Sequence, residues 1–152
     1  TGQAPASASG VAEDIAFPSP TTTASGGSGL GQEILATANK YLGHRYVRGS
    51  ATPGRGFDCS GFVYYVMKQF GVSLARSCDG QFRSGQPIAR SALQPGDVVF
   101  FQNTYKGGIS HVGFYLGNDK FIHAANSRRC VVVDSLNSSY YASRYYGARR
   151  MY

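Results

Sequence analysis

Cysteine, tryptophan and acidic side chains are scarce in this chain of 152 residues. It contains three cysteines, no tryptophan and eight acidic residues against fifteen basic ones. Three cysteines are too few for a disulfide scaffold and leave room for one bridge and one free thiol. No run of about 18 apolar residues occurs, which excludes a membrane-spanning helix within this sequence. Because 42% of the residues are hydrophobic, the chain can build one ordinary core.

The first 28 residues contribute little to such a core. They are mostly Ala, Ser, Thr, Gly and Pro, and their only charges are Glu13 and Asp14. A segment of this kind buries too little apolar surface to offset the entropy of ordering it. We therefore predict a flexible leader or tether over residues 1–28 and a folded domain over residues 29–152. The start at Thr1 suggests a processed chain, so we expect an exported protein, periplasmic or extracellular, with this segment as its tether.

The folded domain is strongly basic. It holds all fifteen Lys and Arg residues but six of the eight acids, which gives a formal charge of +9. Three roles stay open for Arg128, Arg129, Arg149 and Arg150: binding anionic polymers or lipid head groups, steering an anionic substrate, or solvating the fold. No nucleic-acid-binding motif accompanies the charge, so we expect no nucleic-acid partner.

Helical periodicity dominates the first half of the folded domain. One helix is predicted to end at Gly43, because apolar residues before it recur on a single helical face, namely Ile34, Leu35, Ala38, Tyr41 and Leu42. A second should begin at or beside Cys59 and stop near Gly71. The polar stretch "RSCDGQFRSG" predicts a short helical turn and a loop.

The second half changes to the period of strands. Strands are predicted at residues 97–101, 110–117, 120–125, 130–136 and 145–152. The tight turn "GND" should join the second and third of these as a hairpin. Helices followed by an antiparallel sheet indicate an α+β domain.

The segment "FDCSGFVYYV" at residues 57–66 places a thiol where a helix should start. Asp58 and Ser60 are residue types that cap helices, and an apolar helical face follows them. The positive end of the helix dipole favours thiolate over thiol at Cys59. The thiolate is the form that attacks carbonyl carbons, so Cys59 is a candidate nucleophile.

The predicted hairpin supplies partners for that thiol. His111 and His123 lie on its two strands, where they can sit side by side on one face of the sheet. His111 could then take the thiol proton while His123 fixes the tautomer of His111. The backbone N–H of Cys59, at the helix start, is the natural donor to an oxyanion.

Other interpretations of these three residues stay open. A cysteine at the head of an apolar helix is often a small buried hydrophobe, and a single histidine is often structural. Zinc binding is disfavoured because the chain has no CxxC pair and offers three candidate ligands. We therefore predict neither a metal nor another cofactor.

Seven ordered stretches resemble the NlpC-type family of peptidoglycan cysteine endopeptidases. They are "YLGHRYVRG", "GFDCSGFV", "LARSCDGQ", "LQPGDVVFF", "SHVGFYLG", "FIHAA" and "GARRMY". The resemblance implies a compact papain-like fold with N-terminal helices packed on an antiparallel sheet. It also implies that Cys59 is the nucleophile, His111 the base and His123 the third polar residue.

The same resemblance implies a substrate. Family members cut the bond between γ-D-glutamyl and a diamino acid, usually diaminopimelate, in the stem peptides of the bacterial wall. Tyr46, Asp58, Ser60 and Arg76 match residues that line the family's substrate groove. By chemistry alone, Asp58 can bind an ammonium group or only cap the helix, and Arg76 can bind a carboxylate or only be solvated. A wall amidase, an acyltransferase and an inactive wall-binding module remain alternatives.

Departures from the family pattern affect the groove rather than the three catalytic positions. The family often has a second glycine at Ser50, a proline at Ala75 and a serine at Cys78. In an oxidising envelope, Cys78 and Cys130 could form a disulfide, although two separate thiols are equally compatible with the sequence. We expect a monomer.

Overall fold

The computed structural model describes residues 28–152, so the predicted leader lies, apart from Ser28, outside the described residues. The helices are α1 (Ser28–Asn39), α2 (Cys59–Lys68), α3 (Cys78–Gln81) and α4 (Ser139–Ala142), with one 3₁₀ turn (Arg90–Ala92). The strands are β1 (Ala51–Thr52), β2 (Gly56–Phe57), β3 (Gln86–Pro87), β4 (Val98–Gln102), β5 (Ile109–Gly117), β6 (Lys120–Ala124), β7 (Val131–Ser135) and β8 (Tyr145–Arg150). None of these helices has the length and hydrophobicity needed to cross a membrane.

Six strands form one antiparallel sheet in the order β3-β8-β4-β5-β6-β7. Strands β1 and β2 form a separate small hairpin just before α2. The predicted α+β class, with helices first and an antiparallel sheet afterwards, is confirmed.

Buried apolar side chains cover both faces of the sheet. Successive residues of β4 alternate between the two faces, as the period of a strand requires. Val98 and Phe100 belong to the larger cluster, which also contains buried residues of α1 and α2. Val99 and Phe101 belong to a smaller cluster on the other face, together with Phe121 and Tyr141. The sheet therefore lies between two clusters of buried apolar side chains and has no fully solvent-exposed face.

Both predicted helices end earlier than expected. Helix α1 ends at Asn39 and α2 at Lys68, and the chain then continues in tight turns to Gly43 and Gly71. The backbone of these glycines has φ values of +87° and +80°, in the left-handed region that terminates helical turns. The five predicted strands are confirmed within two residues at each end. Sequence reasoning missed β1, β2, β3 and α4, which are too short to show a period.

A buried ion pair joins the last strand to the turn before β4. Asp97 is fully buried, and Arg150 donates to its two carboxylate oxygens, from Nε at 2.7 Å and Nη2 at 2.9 Å. The backbone N–H of Gln94 donates to the same carboxylate at 2.8 Å. Removal of the arginine would leave a buried charge without its counterion.

We expect Arg150→Ala to lower the free energy of unfolding by about 3 kcal/mol, because breaking one partner of a buried pair leaves the other uncompensated. Urea denaturation of the purified protein measures this change. Arg128→Ala removes the same charge from an exposed position and should change the value by less than about 0.5 kcal/mol. Equal effects of the two substitutions would contradict a structural role for the pair.

Candidate active site

Cys59 is the first residue of α2, and its side chain is almost completely buried. Asp58 caps the helix: its Oδ1 accepts from the N–H of Gly61 and its Oδ2 from the N–H of Gly49, both at 2.8 Å. Because Cys59 occupies the first helical position, its own N–H has no acceptor within the helix. The predicted helix start at the thiol is thus confirmed, and the cap also fixes the loop before it.

The two histidines lie next to each other on the β5–β6 hairpin. Asn118 and Asp119 form its turn with φ values of 53° and 60°, the geometry of a two-residue hairpin turn. A bulge between Tyr115 and Gly117 then shifts the register by one residue, which places both histidines on the same face of the sheet. Nε2 of His111 lies 2.6 Å from Nδ1 of His123. Nδ1 of His111 is then the ring nitrogen left for Cys59, whose Sγ is also 3.8 Å from the carbonyl oxygen of Ser110.

A glycine makes the contact between the histidines possible. The hairpin register places Gly113 opposite His123, and a Cβ at residue 113 would lie 2.8 Å from the Cβ of His123. No side chain fits at that separation without a shift of the backbone. Gly113 therefore leaves the space that His123 needs beside His111.

Asp134 is a partner of these histidines that sequence reasoning missed. Its Oδ2 lies 2.8 Å from Nε2 of His123, on the neighbouring strand β7. Arg129 donates to both carboxylate oxygens, from Nη1 at 2.9 Å and from Nη2 at 3.2 Å. The available signal was an aspartate inside the Val-rich strand "CVVVDSL", next in sequence to the strand of His123.

Aromatic rings surround the two imidazoles. The ring centres of Phe121 and His123 are 4.2 Å apart. The ring of Tyr141 also packs against His123, and that of Phe101 against His111. Burial lowers the pKa of His123, and its hydrogen bond with Asp134 only partly offsets this. Burial acts to raise the pKa of Asp134, but the hydrogen bonds from His123 and Arg129 outweigh it and hold that pKa below its ordinary value. At neutral pH, His123 is uncharged and Asp134 is ionised.

A second thiol lies beside the first. Sγ of Cys78, the first residue of α3, is 3.7 Å from Sγ of Cys59. The hydrogen bond with Cys78 and burial raise the pKa of the Cys59 thiol, while His111 acts to lower it. The disulfide considered between Cys78 and Cys130 is not present: all three cysteines are free thiols, and Cys130 contacts the carbonyl oxygen of Val131 instead. The alternative of separate thiols therefore describes the structure.

The remaining predicted residues form a charged cluster at the start of α2. Nη1 of Arg76 donates to Oγ of Ser60 at 2.9 Å, and Nη2 lies 3.0 Å from Oδ1 of Asp58 without hydrogen-bond alignment. The side chain of Arg76 is 37% exposed as a whole, although its Nη2 atom is buried. Asp58 is both helix cap and ion-pair partner.

A cleft of about 800 Å³ opens beside His111. Its lining is polar and aromatic: Tyr46, Arg48, Thr104, Tyr105, His111, Ala125, Asn126, Ser127, Arg129, Asp134, Ser138, Tyr140 and Tyr141. Tyr46 reaches it because its backbone pairs with Phe57, just before the nucleophile. Asp58, Ser60 and Arg76 lie by Cys59, outside this lining.

Comparison with known proteins identifies the family. A model of the NlpC/P60 family matches residues 43–150, a range that contains every residue of the site. The chain belongs to the NlpC/P60 family. The resemblance inferred from its seven motifs is confirmed, as is the papain-like fold.

Relatives of this NlpC/P60 domain include wall enzymes. It is 46% identical over 118 residues to "Gamma-DL-glutamyl hydrolase" of Bacillus subtilis, which covers 77% of this chain and 28% of that protein. It is 39% identical over 113 residues to "Murein DD-endopeptidase MepH" of Escherichia coli, covering 72% and 42%. The solved NlpC/p60 domain of the peptidoglycan hydrolase SagA superposes with a TM-score of 0.69 at 36% identity, covering 80% of this chain and 98% of that one. The chain thus spans less than half the length of these two curated relatives.

Three of the four arginines considered as a binding surface have partners within the NlpC/P60 domain. Arg129 pairs with Asp134 and Arg150 with Asp97. The guanidinium of Arg149 lies 4.6 Å from the ring centre of Phe82. Their positions thus serve contacts inside the fold. Within residues 28–152, no group of three or more His, Cys, Asp or Glu side chains is arranged to hold a metal ion.

The geometry gives unequal roles to the catalytic candidates. We expect Cys59→Ala to abolish hydrolysis and His111→Ala to lose nearly as much, because neither the nucleophile nor the base can be replaced. His123→Asn should retain more activity than His111→Ala, since an amide can still accept from His111 and donate to Asp134.

Rates on purified peptidoglycan, with circular dichroism to verify folding, test this order. Turnover by Cys59→Ala equal to wild type would contradict the cysteine mechanism. Identical losses at the two histidine positions would contradict the division between base and orienting group.

Proposed function

We propose that this domain is a cysteine endopeptidase of the bacterial cell wall that cleaves γ-D-glutamyl-diamino acid bonds in peptidoglycan stem peptides. The observation that carries the proposal is Cys59 at the positive end of α2, beside an imidazole oriented by a second one. Relatives named for γ-glutamyl bonds, from Bacillus subtilis and Bacillus cereus, match 77% and 78% of this chain. Such a substrate places its work in the cell envelope.

The proposed reaction is acyl transfer through the thiol. Nδ1 of His111 takes the proton of Cys59, and the thiolate attacks the γ-carbonyl carbon of the D-glutamyl residue. The N–H of Cys59 donates to the oxyanion that forms. His111 then gives its proton to the departing amine, which leaves a thioester. Water, deprotonated by His111, hydrolyses the thioester and frees Cys59.

We propose that Arg76 and Asp58 bind the acyl part of the substrate, which contains the γ-D-glutamyl residue. A γ-linked D-glutamyl residue keeps its α-carboxylate free, and the partly exposed side chain of Arg76 contacts Asp58 and Ser60, the residues on either side of the nucleophile. A stem peptide trimmed to L-Ala also carries a free ammonium, for which Asp58 and the hydroxyl of Tyr46 are the proposed acceptors. Burial raises the pKa of Tyr46, which keeps its hydroxyl protonated. Ser60 holds Arg76 in place through its Oγ.

Other activities of the same thiol are distinguishable by their products. A murein DD-endopeptidase activity, as in the name of the Escherichia coli relative, would instead release crosslinked peptides as monomers. An amidase would free L-Ala from the muramyl sugar, an acyltransferase would join peptides, and an inactive binding module would release nothing. Mass spectrometry of fragments from purified peptidoglycan incubated with the 152-residue protein separates all of these outcomes.

We expect L-Ala-γ-D-Glu-diaminopimelate to be cut between Glu and diaminopimelate, with little action on casein. Amidation of the D-Glu α-carboxylate should lower kcat/KM by roughly tenfold or more, since a charged hydrogen bond contributes about 1.5–3 kcal/mol. In Arg76→Ala this preference for the free acid should disappear, because the guanidinium that binds the carboxylate has been removed.

Arg83→Ala is the matched control, since Arg83 is an exposed arginine that pairs with Asp79. That variant should keep the full preference for the free acid. An equal preference in Arg76→Ala and wild type would overturn the assignment of Arg76. Release of L-Ala from the muramyl sugar as the main product would overturn the proposed bond.

A further inference from the structure

The carboxylate of Asp134 is the outermost member of a chain of hydrogen bonds that begins at His111, the imidazole beside the nucleophile. His111 contacts His123 at 2.6 Å, and His123 contacts Asp134 at 2.8 Å. The groups that face Asp134 are His123 on β6, Arg129 before β7 and Tyr141 on α4. Arg129 donates hydrogen bonds to both carboxylate oxygens, which keeps Asp134 ionised.

An ionised carboxylate accepts hydrogen bonds and donates none. Nε2 of His123 must therefore carry the proton in the contact with Asp134. Because His123 is fully buried among aromatic rings and neutral, it has only that one N–H. Its Nδ1 is then an acceptor, and the N–H in the next contact belongs to Nε2 of His111. The lone pair of neutral His111 is thereby left on Nδ1, on the side of the thiol.

We propose that Asp134 is a positioning residue of the hydrolase, which sets the tautomers of both histidines and so aims the basic nitrogen of His111 at Cys59. The proposal deepens the proposed function, because it assigns a new residue to the same site. Asp134 acts through His123 and does not touch the reacting atoms. When His111 becomes an imidazolium, the charge of Asp134 also stabilises it across His123.

The tautomers can be read directly by long-range ¹H–¹⁵N NMR of histidine side chains. The chain has three histidines, and His44 serves as the internal reference. In Cys59→Ser, where no thiolate can draw a second proton, we expect His111 and His123 each to be protonated on Nε2. Protonation of His123 on Nδ1 instead would overturn the proposal, whatever the enzyme hydrolyses.

Asp134→Asn supplies the kinetic test, with Asp119→Asn as the matched loss of an exposed carboxylate that pairs with Arg90. We expect Asp134→Asn to lower kcat/KM by about tenfold or more and to mix the tautomers of both histidines, because the amide no longer demands a donor. Asp119→Asn should change neither. If kcat/KM of Asp134→Asn lies within twofold of that of Asp119→Asn, or if the tautomers are unchanged, the positioning role of Asp134 is contradicted.

A different observation, the pair of thiols at the start of α2 and α3, carries a second inference. Sγ of Cys59 and Sγ of Cys78 are 3.7 Å apart, whereas a disulfide requires about 2 Å. The sulfur of Cys130 contacts the carbonyl oxygen of Val131, and Cys78 is the thiol that lies beside the nucleophile.

We infer that Cys59 and Cys78 form a reversible disulfide that switches off hydrolysis under oxidising conditions. One thiolate attacks a small organic disulfide and releases one thiol as the leaving group. The second thiolate then attacks the mixed disulfide and releases the other. Two electrons and two protons thus pass from the cysteine pair to the oxidant, which becomes two thiols. The bond blocks Cys59 and protects it from further oxidation.

The test uses oxidised glutathione, followed by intact-mass and peptide mapping without reduction. Wild type should become lighter by two hydrogen atoms, yield linked peptides of Cys59 and Cys78, and lose activity that dithiothreitol restores. Cys78→Ser should instead gain a glutathione adduct on Cys59, whereas Cys130→Ser should behave as wild type.

Peroxide distinguishes protection from simple blockage. Each variant is treated with peroxide and then with dithiothreitol, and its activity is compared with that of the same variant before oxidation. Wild type should recover its activity, whereas Cys78→Ser should lose it irreversibly because Cys59 is oxidised to the sulfinic acid. A stable glutathione adduct on wild-type Cys59, or a bridge that involves Cys130, would overturn the inference. The mass readout stands even if the substrate differs from the one proposed.

Discussion

The packing of α2 against β5 is the contact on which the whole site depends. The rings of Phe62 and Phe114 meet across this interface with their centres 5.8 Å apart. At the helix start, the same interface brings Cys59 within 3.8 Å of the carbonyl oxygen of Ser110, the residue before His111. A nucleophile and a base from distant parts of the chain are thus held together by the core. The polar groups tune a geometry that apolar burial has already set.

Arginine–carboxylate pairs lie at both ends of the reacting groups. Arg76 pairs with the cap of the helix that carries the nucleophile, and Arg129 pairs with the carboxylate that orients the imidazoles. Five of the six acids in residues 29–152 are paired with an arginine, namely Asp58, Asp79, Asp97, Asp119 and Asp134. In so basic a domain most carboxylates have an arginine as partner. The remaining positive charge is left to the surface.

Local patterns predicted the parts of the site that depend on short stretches of sequence. The start of α2 follows from Asp58 and the apolar face behind it, and the hairpin that carries the histidines follows from a two-residue turn. The bulge between Tyr115 and Gly117, which shifts the register so that both histidines lie on one face, was not predicted. Asp134 could not be found this way, because its contact with His123 depends on how β7 pairs with β6. The same is true of Cys78, which reaches Cys59 only when α3 packs beside α2. Very short strands such as β1 and β3 carry no period at all.

The position of β7 at the edge of the sheet links local stability to the chemistry. The strand is bonded on one side to β6, and on the other side Val131 bonds to Gly43 and His44. Edge strands open more easily than central ones, and such opening does not require the core to unfold. An opening of β7 would separate Asp134 from His123 and would expose Val131, which belongs to the larger core cluster, whereas Cys59 lies on α2. The pairing of this edge strand with β6 therefore affects the orientation of both imidazoles, although β7 carries no group that touches the reacting atoms.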